Sequence, residues 1–203
     1  MITIVDYGMG NLGSIQNMLK KIGAPAVIAS DPEQVASAEK LILPGVGAFD
    51  NGMQNLSVRG LRPVLEERVI EKKIPILGIC LGMQLMSESS EEGNLSGLSW
   101  IDAVTRKFRF DDPSMKVPHM GWNSVDIKST DCLFNDMFAD HRFYFVHSYF
   151  VTCRTESDVL ATTCYGHDFV SSFRKENILG VQFHPEKSHK FGMKLLQNFV
   201  ERV

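Results

Sequence analysis

The chain has 203 residues, of which 44% are hydrophobic and 22% charged, and its formal net charge is −3. This length and composition are typical of one globular domain, so we expect residues 1–203 to form a single domain. The charges form no Lys/Arg block, and the longest mostly apolar stretch, residues 74–86, is too short and glycine-interrupted to span a bilayer. Neither a nucleic-acid partner nor a membrane is therefore expected.

The ends and cysteines of the sequence bear on its compartment. Residues 1–6 lack the basic region of a signal peptide and instead have the pattern of a strand. The four cysteines include no C-x-x-C pair, so neither a zinc cluster nor a disulfide framework is expected, and a reducing cytoplasm fits best. These cysteines are Cys80, Cys132, Cys153 and Cys164.

Strand and helix patterns alternate through the first half of the chain. Buried strands are predicted at residues 2–5, 26–29, 41–43 and 74–79. Helices are predicted at about residues 14–22, from Asp31 onward, at residues 61–73, and directly after Cys80. This alternation predicts an open, twisted, mainly parallel sheet that is flanked by helices on both faces.

The second half is richer in strand patterns, and its helix signals are sparse until the end. Strands are predicted at residues 100–110, 124–127, 143–151, 159–165, 169–174 and 178–183, and a closing helix at residues 190–202. We therefore expect additional mixed or antiparallel strands, with hairpins, in an α/β fold.

Cys80 lies where a buried-strand pattern gives way to a helix pattern. Residues 76–84 read Ile-Leu-Gly-Ile-Cys-Leu-Gly-Met-Gln, which is a Gly-x-Cys-x-Gly motif after an apolar run. This is the pattern of a nucleophile elbow with sulfur in place of oxygen, where small neighbours allow a tight turn. Backbone N–H groups and the helix dipole stabilise a thiolate at such a position. The motif favours a catalytic cysteine over the buried structural cysteine that is otherwise common.

A histidine and a carboxylate follow another buried-strand pattern near the end of the chain. Residues 178–186 read Ile-Leu-Gly-Val-Gln-Phe-His-Pro-Glu, which places His184 at the strand end and Glu186 two residues later. Because parallel α/β sheets place their sites at the carboxyl ends of the strands, His184 and Cys80 are expected at one edge. A cysteine, a histidine and a carboxylate that orients it are the minimum set for covalent acyl transfer.

Residues 44–47, Pro-Gly-Val-Gly, follow the third predicted strand. A plain turn is one interpretation of this segment. The alternative is a flexible loop whose N–H at Val46 or Gly47 serves an oxyanion hole, since glycines on both sides of Val46 permit a peptide to reorient. The N–H of Leu81, next to Cys80, is expected to be the other donor.

A dinucleotide-binding module is one alternative function. Residues 8–13 form a Gly-x-Gly-x-x-Gly motif after a strand, and Asp31 follows about 20 residues later, as that fingerprint requires. Against it, Asp31 begins a predicted helix instead of ending the second strand, and the set of Cys80, His184 and Glu186 is left unexplained.

A metal site is the other alternative. His184 and Glu186 could be ligands, with His147 or His119 as a third, but the sequence contains no His-Glu-x-x-His motif and no paired cysteines. We therefore expect neither a metal nor any other cofactor.

With these motifs in hand, the chain resembles the class I (triad) glutamine amidotransferases, which have a flavodoxin-like fold. Within that family it is similar to the glutaminase subunits of imidazole glycerol phosphate synthases. The resemblance covers essentially the whole chain. It rests on the elbow at residues 78–84, on residues 182–186, and on four further blocks at residues 6–12, 44–49, 118–123 and 144–149.

The resemblance implies a role for individual residues. Cys80 is then the nucleophile that forms a γ-glutamyl thioester, His184 the general base and acid, and Glu186 the residue that orients His184. The residues implied to line the oxyanion hole are Leu81 and either Val46 or Gly47. Those implied to hold glutamine are Gly45, Gln84, His147, Ser148 and Tyr149. Those implied to face a partner are Gly10, Asn11, Trp122, Tyr144 and Lys187.

The partner implied is a (β/α)8-barrel cyclase subunit in a heterodimer, which makes imidazole glycerol phosphate and AICAR in histidine biosynthesis. Ammonia is largely protonated at neutral pH and is then a poor nucleophile, so a synthetic glutaminase should pass it directly to an acceptor site. This chain is too short to contain a second synthase domain. Two further alternatives stay open: a paralogue that feeds another cyclase-like partner in surface-sugar amidination, and a stand-alone cysteine hydrolase.

Overall fold

An 11-stranded sheet forms the centre of the computed structural model, which describes residues 1–129 and 131–203. Its parallel half has the strand order β2-β1-β3-β4-β13. These strands are β1 (Ile2–Val5), β2 (Ala26–Ala29), β3 (Lys40–Leu43), β4 (Ile76–Ile79) and β13 (Ile178–Val181). Every residue of β1, β4 and β13 is buried, as expected for strands that helices cover on both faces.

Six α-helices accompany the sheet in the described parts of the chain. They are α1 (Leu12–Lys21), α2 (Pro32–Ala36), α3 (Phe49–Val58), α4 (Leu61–Glu66), α5 (Leu81–Leu85) and α6 (His189–Arg202). The helix predicted at residues 61–73 is α4 followed by a π-helical turn, Glu67–Glu71. None of these helices is both long and apolar enough to cross a membrane.

Helix α2 begins as predicted, because the Asp31 carboxylate accepts a hydrogen bond of 2.7 Å from the backbone N–H of Glu33. Helix α3, in contrast, was not among the predicted elements. Its sequence contains Gly52 and two asparagines, which are weak helix formers. It forms because Phe49, Met53 and Leu56 are buried in the core, so tertiary packing outweighs local propensity.

Antiparallel strands extend the sheet on the other side in the order β13-β12-β10-β6-β5. They are β5 (Ser89–Ser90), β6 (Ala103–Lys107), β10 (Tyr149–Cys153) and β12 (His167–Lys175); β11 (Val159–Tyr165) pairs with β12 and with β8 (Asp126–Ile127). The β11–β12 hairpin and the mixed character of this half agree with the sequence prediction.

A second, two-stranded sheet consists of β7 (His119–Ser124) and β9 (Arg142–His147). One prediction needs correction here. The strand predicted at residues 143–151 is in fact β9 and β10, which belong to different sheets and are separated by Ser148. Polar residues and glycine suit strands poorly, yet pairing with β9 makes His119–Ser124 a strand.

Side-chain alternation divides the core between the two faces of the sheet. Leu41 and Leu43 of β3 belong to one hydrophobic cluster, with α3, α4 and α5, whereas Ile42 belongs to the other, with α1 and α6. Helices therefore cover both faces of the parallel half, as predicted.

Two glycines at the turn from β4 into α5 have no room for a side chain, because the turn is tight and lies against β3. A Cβ atom at Gly82 would lie 1.8 Å from the carbonyl oxygen of Leu43, and one at Gly78 would lie 2.8 Å from the backbone nitrogen of Met83. Both contacts are with backbone, which cannot move aside cheaply.

We expect Gly82→Ala to lower the free energy of unfolding by about 2 kcal/mol or more, because the added methyl group overlaps the backbone of β3. Urea unfolding followed by circular dichroism measures this change. Gly13→Ala in α1 is the matched control, since nothing lies within 4 Å of its added Cβ, and it should raise stability by up to about 1 kcal/mol. Equal effects of the two substitutions would contradict the steric explanation.

Candidate active site

Cys80 occupies the turn between β4 and α5. Its backbone has φ +53° and ψ −108°, a conformation that costs a non-glycine residue energy and is typical of functional sites. Its N–H donates a hydrogen bond of 2.8 Å to the carbonyl oxygen of Val181, which extends the β4–β13 pairing by one residue. The side chain is only 6% exposed. The predicted nucleophile elbow is therefore present.

His184 lies just beyond the end of β13, the strand that pairs in parallel with β4. Its Nδ1 donates a hydrogen bond of 2.8 Å to Oε1 of Glu186, and both side chains are 2% exposed. The other ring nitrogen, Nε2, is buried and has no hydrogen-bond partner. The Glu186 carboxylate thus fixes the ring and its tautomer, and leaves Nε2 available for proton transfer.

The charge state of His184 is set by its neighbours. Burial by itself lowers the pKa of His184, but hydrogen-bonding groups and charges of Cys80 and Glu186 outweigh burial and raise that pKa to about 10. Nε2 of His184 makes no hydrogen bond of normal geometry. Cys80 therefore raises the pKa of His184 because its sulfur lies close to the ring. An imidazolium held between a thiolate and a carboxylate is the arrangement in which a thiol is nucleophilic at neutral pH.

A cleft of about 380 Å³ opens above Cys80. It is lined by Val46, Gly47, Cys80, Leu81, Gln84, Glu92, Pro118, Val146, His147, Ser148 and Tyr149. The structure therefore brings together all the residues predicted for the oxyanion hole and for glutamine binding, except Gly45. Gly45 lies just beneath the cleft, where an added Cβ would be 2.3 Å from the hydroxyl oxygen of Tyr7.

Glu92 also lines the cleft, although it was not among the predicted site residues. Its Oε2 accepts a hydrogen bond of 2.9 Å from the backbone N–H of Phe49, and burial raises the pKa of its carboxyl group. Glu92 follows another glutamate in a polar stretch, and nothing in that stretch distinguishes a site residue from a solvated one. Only the folding of residues 89–94 over α3 places this carboxylate in the cleft.

The expected oxyanion hole is not open in this structure. The N–H of Leu81, one of the two expected donors, donates a hydrogen bond of 3.3 Å to the carbonyl oxygen of Gly45. The loop is held there by Tyr7, whose hydroxyl donates a hydrogen bond of 2.6 Å to the carbonyl oxygen of Pro44. The N–H of Leu81 is thus occupied by the same loop that was expected to supply the second donor of the oxyanion hole.

Gln84 is more constrained than a simple ligand-binding residue. Its Nε2 donates hydrogen bonds to the carbonyl oxygen of Tyr149 at 2.9 Å and to Oε1 of Gln182 at 3.0 Å. Both of its N–H hydrogens are therefore used within the protein, and only its carbonyl oxygen is available to a substrate.

His147 belongs to a buried hydrogen-bonded chain. Its Nδ1 lies 2.8 Å from the carbonyl oxygen of Tyr149, its Nε2 lies 3.1 Å from Nδ1 of His119, and Nε2 of His119 lies 3.3 Å from Nδ2 of Asn123. Because a carbonyl oxygen only accepts, His147 must carry its hydrogen on Nδ1, and the remaining roles in the chain follow with both rings neutral.

Burial lowers the pKa of His119 to about 4. The pKa of His147 falls to about 3, chiefly through burial and further through the charges of His119 and His184, although its hydrogen bond to Tyr149 opposes this. Both rings are therefore neutral at pH 7, and His147 positions the backbone of Tyr149 in the cleft.

Acid should weaken the fold through these two histidines. Between their unfolded pKa of about 6.5 and their lowered folded values the unfolded chain binds more protons, so stability falls as the pH falls. Between pH 7 and pH 5, the free energy of unfolding should fall less in His119→Gln than in the unsubstituted protein, by on the order of 1–2 kcal/mol. Urea unfolding at both pH values measures this difference. His167→Gln, at an exposed position, is the control and should leave the loss unchanged; an unchanged loss in His119→Gln would contradict the assignment.

Three of the predicted partner-facing residues form one group. Trp122 and Tyr144 are paired across β7 and β9 with ring centroids 6.2 Å apart, and Nζ of Lys187 lies 5.6 Å from the centroid of Tyr144. Trp122 is 42% exposed. The carbonyl oxygen of Tyr144 accepts a hydrogen bond of 2.9 Å from the backbone N–H of His184, so this group is joined directly to the triad.

The other two residues lie in the N-terminal loop. Gly10 has φ +111°, and a Cβ there would be 3.1 Å from Cβ of Pro44. Asn11 directly precedes α1 but makes no capping hydrogen bond with its side chain. This loop therefore lies against residues 44–47.

The alternative sites receive no support from this geometry. Asp31 is used as a helix cap. Within residues 1–129 and 131–203, no group of three or more His, Cys, Asp or Glu side chains is arranged to hold a metal ion.

Comparison with known proteins defines the class of protein. The family described as "Glutamine amidotransferase class-I" matches residues 3–203. The chain is 54% identical to "Imidazole glycerol phosphate synthase subunit HisH 2" of Methanococcus maripaludis and 50% identical to the protein of the same name in Pseudomonas aeruginosa, covering 100% of both chains in each case. A HisH subunit of Leptospira borgpetersenii is 46% identical, with 98% of each chain covered. The chain belongs to the class I glutamine amidotransferases and, within them, to the HisH subunits of imidazole glycerol phosphate synthase.

Solved structures agree at the level of the fold. A putative GMP synthase subunit of Thermoplasma acidophilum superposes with a TM-score of 0.72 at 20% identity, covering 98% of this chain and 91% of that one. A structure titled as a glutamine amidotransferase also has a TM-score of 0.72, at 19% identity and 99% and 98% coverage. The predicted fold class, an α/β glutamine amidotransferase fold with added antiparallel strands, is confirmed.

Proposed function

We propose that this chain is the glutaminase subunit of an imidazole glycerol phosphate synthase, which hydrolyses glutamine and passes the ammonia to a cyclase subunit. The observation that carries the proposal is the convergence of Cys80, which lines the cleft, with the buried His184–Glu186 pair next to it at the carboxyl edge of β4 and β13, in a chain of the HisH family.

The first half-reaction is acylation of Cys80. The thiolate attacks the side-chain carbonyl carbon of glutamine, and the carbonyl oxygen takes up the negative charge of the tetrahedral intermediate. His184 then gives its Nε2 proton to the amide nitrogen, the carbon–nitrogen bond breaks, and ammonia leaves a γ-glutamyl thioester on Sγ. Glu186 keeps Nε2 directed at the reacting atoms throughout.

The second half-reaction is hydrolysis of the thioester. His184, now neutral, takes a proton from water as the water attacks the thioester carbon, and collapse of the intermediate releases glutamate and restores the Cys80 thiolate. One glutamine and one water thus give one glutamate and one ammonia.

Substrate recognition requires groups for the α-ammonium and α-carboxylate of glutamine. Among the described residues that line the cleft, Glu92 is the one with an acidic side chain, and we assign it to the α-ammonium group on the basis of charge. The segment His147 to Tyr149 and the carbonyl oxygen of Gln84 offer hydrogen-bonding groups along the rest of the substrate.

The oxyanion hole forms by rotation of one peptide. The carbonyl of Gly45 and the N–H of Val46 belong to the same peptide unit, so turning it over releases the N–H of Leu81 and presents the N–H of Val46 to the cleft. This favours Val46 over Gly47 as the second donor. It also means that glutamine hydrolysis is weak until something stabilises the rotated peptide.

The partner is the natural source of that stabilisation. We propose a (β/α)8-barrel cyclase that docks on Trp122, Tyr144 and Lys187 and on the loop at Gly10 and Asn11. The first group is bonded to the backbone of His184, and the loop touches Pro44 at the start of the oxyanion segment. Docking at both places would stabilise the rotated peptide of the loop. It would also let ammonia pass to the cyclase without loss to solvent.

Cys80→Ser should abolish synthesis from glutamine but leave synthesis from added ammonium salts intact, because only ammonia release uses the thiol. The test is an assay of the complex with the cognate cyclase and its ribonucleotide substrate, with each nitrogen source in turn. Loss of both activities would contradict the assignment of ammonia release to this chain and of synthesis to the cyclase.

The unsubstituted protein should hydrolyse glutamine weakly by itself and much faster when the cyclase is added. Rapid hydrolysis without the cyclase would favour the stand-alone hydrolase.

Glu186→Gln should reduce kcat for glutamine hydrolysis much less than His184→Ala, because orientation of the ring is secondary to transfer of its proton. Steady-state kinetics of the complex measure both losses, and retained ammonium-dependent synthesis shows that each variant folds and docks. Equal losses would mean that the carboxylate does more than orient the ring.

The second candidate function is a paralogous glutaminase that feeds a different cyclase-like partner. The number in the printed name "HisH 2" of two relatives is the observation that keeps it open. The triad is the same in both functions, so only the choice of partner separates them. Stimulation by a cyclase-like protein of sugar amidination, and none by the histidine-pathway cyclase, would establish this alternative.

A further inference from the structure

A chain of buried side-chain amides ends at the sulfur of Cys80. Gln182 is fully buried, and its Nε2 lies 3.7 Å from Sγ. Its Oε1 accepts a hydrogen bond of 3.0 Å from Nε2 of Gln84, and that same nitrogen donates to the carbonyl oxygen of Tyr149 at 2.9 Å. Gln182 has no role in either half-reaction of the proposed mechanism.

The orientation of both amides follows from the carbonyl oxygen at one end. The Tyr149 carbonyl can only accept, so the atom of Gln84 that faces it must be the NH₂ group. The second hydrogen of that NH₂ group points to Gln182, which must therefore present its oxygen to Gln84. The NH₂ group of Gln182 is then the part that faces Sγ, and it cannot be turned over without two donors meeting.

The sulfur needs such a donor. In the thiol form, Sγ is oriented toward the carbonyl oxygen of Val146 at 4.0 Å, a contact that opposes the thiolate. The N–H of Leu81 is engaged by Gly45, and Nε2 of His184 makes no hydrogen bond of normal geometry. In the described residues, Gln182 is the side chain whose N–H group donates a hydrogen bond to Sγ.

We propose that Gln182 is a catalytic residue, whose amide N–H stabilises the Cys80 thiolate before attack and again when the thioester breaks down. The proposal deepens the proposed glutaminase function and rests on it. Gln182 and His184 both follow the end of β13, and both side chains lie beside Cys80, so one short segment supplies both the proton donor and the anion stabiliser. Through Gln84, the same amide is also tied to the Tyr149 backbone in the cleft.

The test uses two variants. In Gln182→Glu, the carboxylate can still accept the hydrogen bond of Gln84 but cannot donate to Sγ. In Gln182→Met, the side-chain volume is kept, no negative charge is added, and both hydrogen bonds are lost. The pH profile of Cys80 alkylation by iodoacetamide, followed on the Cys80 peptide by mass spectrometry, is the readout, and the exposed Cys164 is the reference thiol in each sample.

We expect the pH midpoint of Cys80 alkylation to rise in both variants by about one pH unit, equivalent to an about tenfold smaller thiolate fraction at pH values below the original midpoint. The profile of Cys164 should not move. The kcat for glutamine hydrolysis in the complex should fall, while KM changes little. Unchanged midpoints would overturn the proposal, and so would a shift in Gln182→Glu alone, since that would be an effect of the added charge.

If the variants fail to fold, the unsubstituted protein still decides the question. The side-chain NH₂ resonances of Gln182 in ¹⁵N-edited NMR spectra should titrate with the midpoint of Cys80 alkylation and should not do so in Cys80→Ala. Resonances that ignore the thiol would overturn the proposal. Because alkylation and NMR need no substrate, a failure of the proposed glutaminase function would be seen separately, as absent hydrolysis by the unsubstituted complex.

Discussion

The active site depends on the contact between the first turn of α5 and the end of β3. The two elements lie so close together that there is no room for a side chain at position 82. An added Cβ there would be 1.8 Å from the carbonyl oxygen of Leu43. The contact forces the strand-to-helix turn to be tight, which places Cys80 in its strained conformation at φ +53°. It also brings the N–H of Leu81 opposite the carbonyl of Gly45. Nucleophile and oxyanion loop are therefore positioned by the same packing constraint.

Strand pairing supplies the rest of the reaction centre. Because β13 runs parallel to β4 as its neighbour, the residues that follow each strand meet at one edge of the sheet. Gln182 and His184, which follow β13, lie beside the sulfur, while Phe183 between them is buried in the core. Glu186 completes the set from a 3-10 turn, Pro185–Lys187, that begins directly after the histidine.

Two tyrosines hold the backbone on which the site is built. Tyr144 is partly exposed, and its backbone carbonyl oxygen accepts a hydrogen bond from the N–H of His184. Tyr7 is fully buried, and its hydroxyl donates a hydrogen bond to the carbonyl oxygen of Pro44, next to the Gly45–Val46 peptide whose rotation we propose. The first hydrogen bond fixes the backbone of His184, whereas the second holds a loop whose glycines allow two arrangements. We therefore expect an effect of a partner on hydrolysis to be transmitted through the loop more easily than through His184.

Local sequence patterns are enough to predict the alternating α/β architecture, the elbow at Cys80, the His184–Glu186 pair and the family, because each is encoded by apolar runs, glycine spacing or a motif within a few residues. The folded structure was needed to show that residues 49–58 form a helix, that residues 119–124 pair as a strand, and that Glu92 enters the cleft. It alone showed that the N–H of Leu81 is occupied and that Gln182 faces the sulfur. These features depend on contacts between residues distant in sequence, about which local pattern carries no information.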